Sequence, residues 1–159
     1  MTTLYVLEDG ELCVANAHHI LACAQELIAD DYRSGQPVLS DYPKLEAFLR
    51  VHLGLKDYEV FGLLHLTTQH RLIAMEDLFR GTVDGGAVYA REVVRSVINH
   101  GAARVMFYHN HPSGDARPSA KDRAVTDKLV QALDLIDVPV LDHLIVGERV
   151  FSFRNARLL

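Results

Sequence analysis

The stretch from Arg104 to Asp122 leaves this chain few ways to fold. Arg104-Val105-Met106-Phe107-Tyr108 is an apolar, β-prone run that reads as a buried strand. It leads straight into His109-Asn110-His111-Pro112-Ser113-Gly114-Asp115. Residues two apart on a strand share a face, so His109 and His111 project together at the strand's carboxyl end while Asn110 points away. Pro112 lacks the N–H that a sheet ladder needs and is followed by turn formers, so the strand ends in a tight loop. Pro118-Ser119-Ala120-Lys121-Asp122 then reads as a helix start, with Ser119 as N-cap and Asp122 inside the first turn. Two histidines, a hydroxyl and a carboxylate are thereby expected in one small volume.

Two imidazole nitrogens and one carboxylate oxygen make three ligands, the number a catalytic zinc site uses when its fourth tetrahedral position is left to water. His-x-His by itself is a weak signal, and Ser-x-x-Asp at a helix start is ordinarily plain capping. His-x-His-Pro followed after six residues by Ser-x-x-Asp is far rarer by chance than either half. The expected centre is one Zn²⁺ held by His109, His111 and Asp122.

This combination resembles the signature of the JAMM/MPN metalloproteases. The longer string HNHPSGD with its following PS and D, LDHLIVG at 141–147 and RGT at 80–82 resembles the bacterial RadC branch of that superfamily. The likeness runs from about Asp41 to Leu159. It implies an α+β domain, a mixed central sheet with flanking helices in the cytidine-deaminase-like architecture, and hydrolysis of a peptide or isopeptide bond in a protein substrate. It also implies a glutamate upstream of the histidines as general base, where a helix gives way to a core strand. Glu59, ahead of Val60-Phe61-Gly62-Leu63-Leu64, matches that place. The rival is Glu92, in a helix's first turn, where the helix dipole favours an acid without any catalytic duty. Ser119 is expected to hydrogen-bond the developing oxyanion. Arg80 could face substrate, and Asp142-His143 is either a buried histidine satisfied by its neighbour or a group that orients a ligand.

Two other readings go with the resemblance. One is a protein-binding module that uses the JAMM fold as a scaffold; the other is a DNA-repair factor, the label RadC-like proteins carry. A net charge of −5 lacks the electrostatic footprint of a non-specific nucleic-acid binder. Full-length RadC-like proteins carry a helix-hairpin-helix segment ahead of the domain, but the ten glycines here never fall as Gly-x-Gly, and forty residues are too few for one. Direct nucleic-acid binding is therefore not expected. Phosphodiester chemistry usually uses two metals, and Asp115 is the only obvious extension of the single ligand set.

A chain of 159 residues with 49% hydrophobic content suits one domain with a substantial core. No apolar run approaches the roughly 18 residues of a membrane span, and the N-terminus has no signal-like block, so a cytoplasmic protein is expected. Residues 1–40 read as a helical extension docking on the core or on a partner, with a homodimer among the expectations, and 41–159 as the RadC-like domain. In the extension, apolar residues at Val14, Ala17, Leu21, Ala24 and Ile28 predict a helix from Glu11 to about Tyr32. Cys13 and Cys23 would then lie about 15 Å apart along its axis, too far for a disulfide and better read as buried small apolar residues. His18 and His19 read as solvated or packed. A second helix, capped by Ser40 or Asp41, carries Leu45, Phe48, Leu49 and Leu53 inward. Strands over 60–66 and 71–79 form a hairpin with His65 and His70 as surface residues beside its turn. A helix over 89–100 turns Val93, Val94, Val97 and Ile98 inward, and a long helix runs from Ser119 to Asp137. Strands over 140–146 and 149–153 close the chain.

Overall fold

A computed structural model describes residues 3–34, 37–54, 56–81 and 88–159. The glycine-rich loop that follows Arg80-Gly81, and with it Thr82 of the RGT string, lies outside the described residues. The chain begins with a hairpin, β1 (Tyr5–Glu8) and β2 (Glu11–Val14), followed by α1 (Ala17–Ser34), a short 3-10 turn (Val38–Ser40) and α2 (Tyr42–Leu53). Then come β3 (Val60–Leu66), β4 (Leu72–Arg80), α3 (Ala90–Asn99), β5 (Arg104–Asn110), α4 (Ala120–Asp134), β6 (Val140–Val146) and β7 (Val150–Ser152). The main sheet has the order β4-β3-β5-β6-β7. β3 pairs antiparallel with β4 and β5, β6 lies parallel to β5, and β7 returns antiparallel to β6. This is the expected α+β architecture, a mixed sheet with flanking helices.

Alternation along the central strands divides the core in two. Val60, Leu64 and Leu66 of β3, with Met106 and Tyr108 of β5, pack against Leu45, Phe48, Leu49 and Leu53 of α2 and Tyr32 of α1. Phe61 and Leu63, with Val105 and Phe107, face Val93 and Val97 of α3 and Leu129 and Leu133 of α4. Strand β5 is enclosed on both sides, which is why its sequence is continuously apolar. His109 continues the 105–107 face. It therefore emerges on the side covered by α3 and α4, beside the start of α4.

The first helix begins later than its apolar spacing suggests, because Glu11–Val14 is taken up by the hairpin. Short runs with few apolar residues fit either period, and pairing with Tyr5–Glu8 decides for strand. Cys13 is consequently a half-buried strand residue and Cys23 an exposed helical one; both are free, and neither is the buried small residue expected. His19 pairs with Glu8 at 2.9 Å. Asp41 caps α2 by accepting from the Lys44 N–H at 3.0 Å. Ile98, expected inward, is 62% exposed. His65, expected at the surface, is fully buried inside β3, where its alternation points it at α3. Burial, reinforced by the neighbouring His100, pushes its pKa down to about 4.

Gly62 is a crowded position in the sheet. A methyl group there would overlap the Tyr108 phenol and the Glu76 carbonyl. The Tyr108 hydroxyl donates to Asp77 Oδ1 at 2.7 Å, and the same carboxylate receives His52 at 2.6 Å and Lys56. Gly62→Ala should displace the ring and break this cluster. The expected cost is about 3 kcal/mol, the upper end of ordinary overpacking. It would appear as a lower urea midpoint with an unchanged slope.

Candidate metal centre

The site forms where β5 ends and α4 begins. His111, just past β5, keeps a ladder bond, its N–H donating to the Val146 carbonyl at 2.9 Å. Pro112 then releases the chain into a loop held by glycines. Gly114 has φ +86°, its N–H donates to the His111 carbonyl at 2.9 Å, and its carbonyl accepts from the Glu148 N–H at 2.7 Å. A side chain at Gly147 would overlap the Gly114 carbonyl, so the loop can lie against the β6–β7 turn only because 147 is glycine. This fold of the loop brings the Asp115 carbonyl to His111 Nδ1 at 2.6 Å.

Helix α4 supplies the carboxylate. Ser119 and Asp122 form a capping box: Ser119 Oγ accepts from the Asp122 N–H at 3.1 Å, and the Ser119 N–H donates to Asp122 Oδ2 at 2.7 Å. Capping and site building are therefore the same contacts. Asp122 Oδ1 lies 3.5 Å from His109 Nε2, and Oδ2 lies 3.5 Å from His111 Nε2. The two Nε2 atoms are 2.9 Å apart.

Glu59 arrives from the neighbouring strand. Phe61 pairs with His109 across the β3–β5 ladder, which puts the residues before β3 beside the histidines. Asn110, on the opposite face of β5, fastens this segment: its Oδ1 accepts from the Val60 N–H at 2.7 Å and its Nδ2 donates to the Tyr58 carbonyl at 3.0 Å. Glu59, His109, His111 and Asp122 each offer one ligand atom within 4.8 Å of the others. They line a cleft of about 210 Å³ together with Phe61, Phe79, Ser119 and His143.

The electrostatics invite a cation. His109 is buried, and desolvation pushes its pKa down to about 4, so its ring is neutral at neutral pH, as metal ligation requires. Asp122 is held well below the ordinary carboxylate range. Burial would raise it, but hydrogen bonds from His111 and Ser119 outweigh that. His111 is raised, first by Asp122 and against its own partial burial. Its Nδ1 can only donate to the Asp115 carbonyl, so its Nε2 is the atom that faces His109 and Asp122. Two ring nitrogens and a carboxylate thus converge on a point that favours positive charge, a proton or a metal ion. Ligands about 2.0–2.2 Å from one tetrahedral zinc lie roughly 3.3 Å from one another, close to the 2.9–3.5 Å found here. The donor set and its spacing fit zinc.

The other candidates fall elsewhere. Glu92 stands in α3 with Arg91 at 3.2 Å and with Arg95, outside this cluster. Arg80 stacks its guanidinium over the Tyr58 ring at 3.6 Å and is not among the residues lining the cleft. Asp115 joins the site through its carbonyl, while its carboxylate is taken by Arg117 at 2.6 Å. Asp142 faces away, buried, and accepts from Tyr42, Ser152, the His143 N–H and the Arg154 N–H. His143 lies on the site's side, its ring 2.8 Å from His109 Nδ1 and 2.7 Å from the Thr126 hydroxyl.

A second cluster of metal-capable side chains, His65, Glu76 and His100, lies between β3, β4 and α3. Its two imidazoles stack at 4.2 Å with 17° between their planes, so their in-plane lone pairs do not meet on one ion. Ser96 bridges His65 and Glu76, and His100 Nδ1 donates to the Ser96 carbonyl at 2.9 Å. It is a hydrogen-bonded tie of α3 to the sheet.

Residues 39–158 match the family model described as RadC-like JAB domain. The chain belongs to this family. Among its relatives is a UPF0758 protein of Vibrio cholerae serotype O1, 45% identical over 139 residues that make up 87% of each chain. A UPF0758 protein of Thioalkalivibrio sulfidiphilus is 50% identical over 112 residues, 70% of this chain and 50% of that one. The matched region of the RadC-like chain contains every residue of the cluster. No helix among the described residues is long and apolar enough to cross a membrane.

Proposed function

We propose that this RadC-like domain is a zinc-dependent hydrolase of peptide or isopeptide bonds in a protein substrate. The observation that carries the reading is the meeting of His109 Nε2, His111 Nε2 and the Asp122 carboxylate at ligand spacing, with Glu59 beside them in an open cleft. His109, His111 and Asp122 would hold the ion. A bound zinc ion supplies Lewis acidity and lowers the pKa of water it holds to about 7. Glu59 would take the proton of the attacking water and hand it to the leaving amine. Ser119 spends its oxygen lone pair on the Asp122 N–H, which leaves the hydroxyl hydrogen free to point into the cleft and bond the developing oxyanion. The N-terminus of α4 adds its positive end at the same place. A binding module would not need the whole set of ligands and base, and this chain has all of it.

The test is hydrolysis of a panel of peptide and isopeptide substrates by the zinc-loaded protein. Activity should disappear with a chelator and return with added zinc. Ser119→Ala should keep the metal, because the bond from residue 119 to Asp122 Oδ2 comes from the backbone N–H. It should lose about 10²–10³ in turnover with the oxyanion donor and about 1 kcal/mol of stability with the cap. A zinc-free Ser119→Ala protein, or wild-type activity indifferent to the chelator, would overturn the assignment.

A further inference from the structure

Whether His109 can bind a metal depends on which of its nitrogens carries the proton, and hydrogen-bond bookkeeping through the core decides that. The Thr126 hydroxyl has one hydrogen, which it donates to the Asp122 carbonyl at 2.6 Å. At its 2.7 Å contact with His143 Nδ1 the Thr126 oxygen can therefore only accept, so His143 carries its hydrogen on Nδ1. His143 Nε2 is then a lone pair. It lies 2.8 Å from His109 Nδ1, which must donate. His109 Nε2, the atom facing His111 and Asp122, is left with its lone pair. Each link has one direction, and the direction starts at Thr126.

The surroundings keep the chain of bonds in place. Thr126 and His143 are each 1% exposed. The His143 ring stacks on Phe153 at 4.7 Å and meets Phe61 and Phe107 edge-on at 5.5 and 5.7 Å. Among the described residues no other polar group hydrogen-bonds its nitrogens, so the tautomer has no competing partner there. Thr126 sits one turn after Asp122 on α4, so a single helix presents both the carboxylate and the hydroxyl that prepares the histidine opposite it.

We propose that Thr126 is a positioning residue which, through His143, sets the tautomer of His109 and so makes the site ready for metal. This rests on the zinc reading of the site, but its first test does not. In metal-free protein labelled with ¹⁵N-histidine, His109 Nε2 and His143 Nε2 should both resonate as unprotonated nitrogens, with hydrogens on both Nδ1 atoms. Thr126→Val has the same shape and no acceptor. It should release His143 to the other tautomer, place the His109 hydrogen on Nε2, and weaken zinc binding 10–100-fold in a chelator competition, the range for loss of an outer partner of a ligand. Thr126→Ser should restore both the shifts and the affinity; should valine prevent folding, serine and the wild-type spectrum still decide. A protonated His109 Nε2 in the wild type, or shifts and affinity unchanged in a folded Thr126→Val, would overturn the proposal. Wild-type protein that shows the predicted tautomers yet refuses zinc would count against the zinc reading alone.

Discussion

Asp122→Ala protein is expected to purify without zinc. The carboxylate faces both histidines with different oxygens, each at 3.5 Å, so its removal takes away the third ligand and one of the two negative charges, with Glu59, that offset an ion in the cluster. The loss in affinity should exceed the roughly 10–100-fold that removal of an outer partner costs. Asp122→Asn separates the charge from the cap: an amide oxygen can still accept from the Ser119 N–H, so α4 should start normally while zinc is still lost. Elemental analysis beside circular dichroism distinguishes the two effects. A proton competes for the same position, since Asp122 raises the pKa of His111. Raised in the metal-free protein, His111 must give up that proton on loading, so zinc affinity should fall as pH falls through the His111 titration. Stoichiometric zinc in either Asp122 variant at wild-type affinity would remove this residue from the ligand set.

Glu59→Gln should do the opposite, keeping zinc and losing turnover. The side chain reaches the cluster from a segment that Asn110 fastens to β5, so an isosteric amide leaves the cleft intact but cannot take a proton. Loss of a general base typically costs about 10²–10⁴ in rate. Glu92→Gln should leave turnover near wild type, because that carboxylate is engaged with Arg91 and Arg95 away from the cleft. The comparison of the two variants in kcat, at equal zinc content, assigns the base. Equal losses in both would mean that the effect is structural.

Much of this architecture was legible from spacing. The inner stripe of α2, the bounds of β3 and β6, and the strand–loop–helix unit from β5 into α4 follow from short-range rules, because proline, a capping serine and uninterrupted apolar runs act within a few residues of themselves. Periodicity misleads where a partner outside the run itself makes the decision. Glu11–Val14 became a strand because Tyr5–Glu8 lies beside it. His65 is buried because α3 covers that face of β3. Thr126 interrupts the stripe formed by Val125, Leu129 and Leu133 with a hydroxyl one turn after Asp122, which was a signal available to sequence reading.

The order of residues by itself determined that His109 and His111 leave one strand together and that Ser119 and Asp122 open the next helix, since both follow from backbone periodicity. Only the tertiary structure decided that Glu59 stands with them, because the antiparallel pairing of Phe61 with His109 joins positions 48 residues apart. It also decided what His109 can bind. A ring nitrogen's proton is set by whatever lies behind it, and here that is His143 from one strand and Thr126 from a helix.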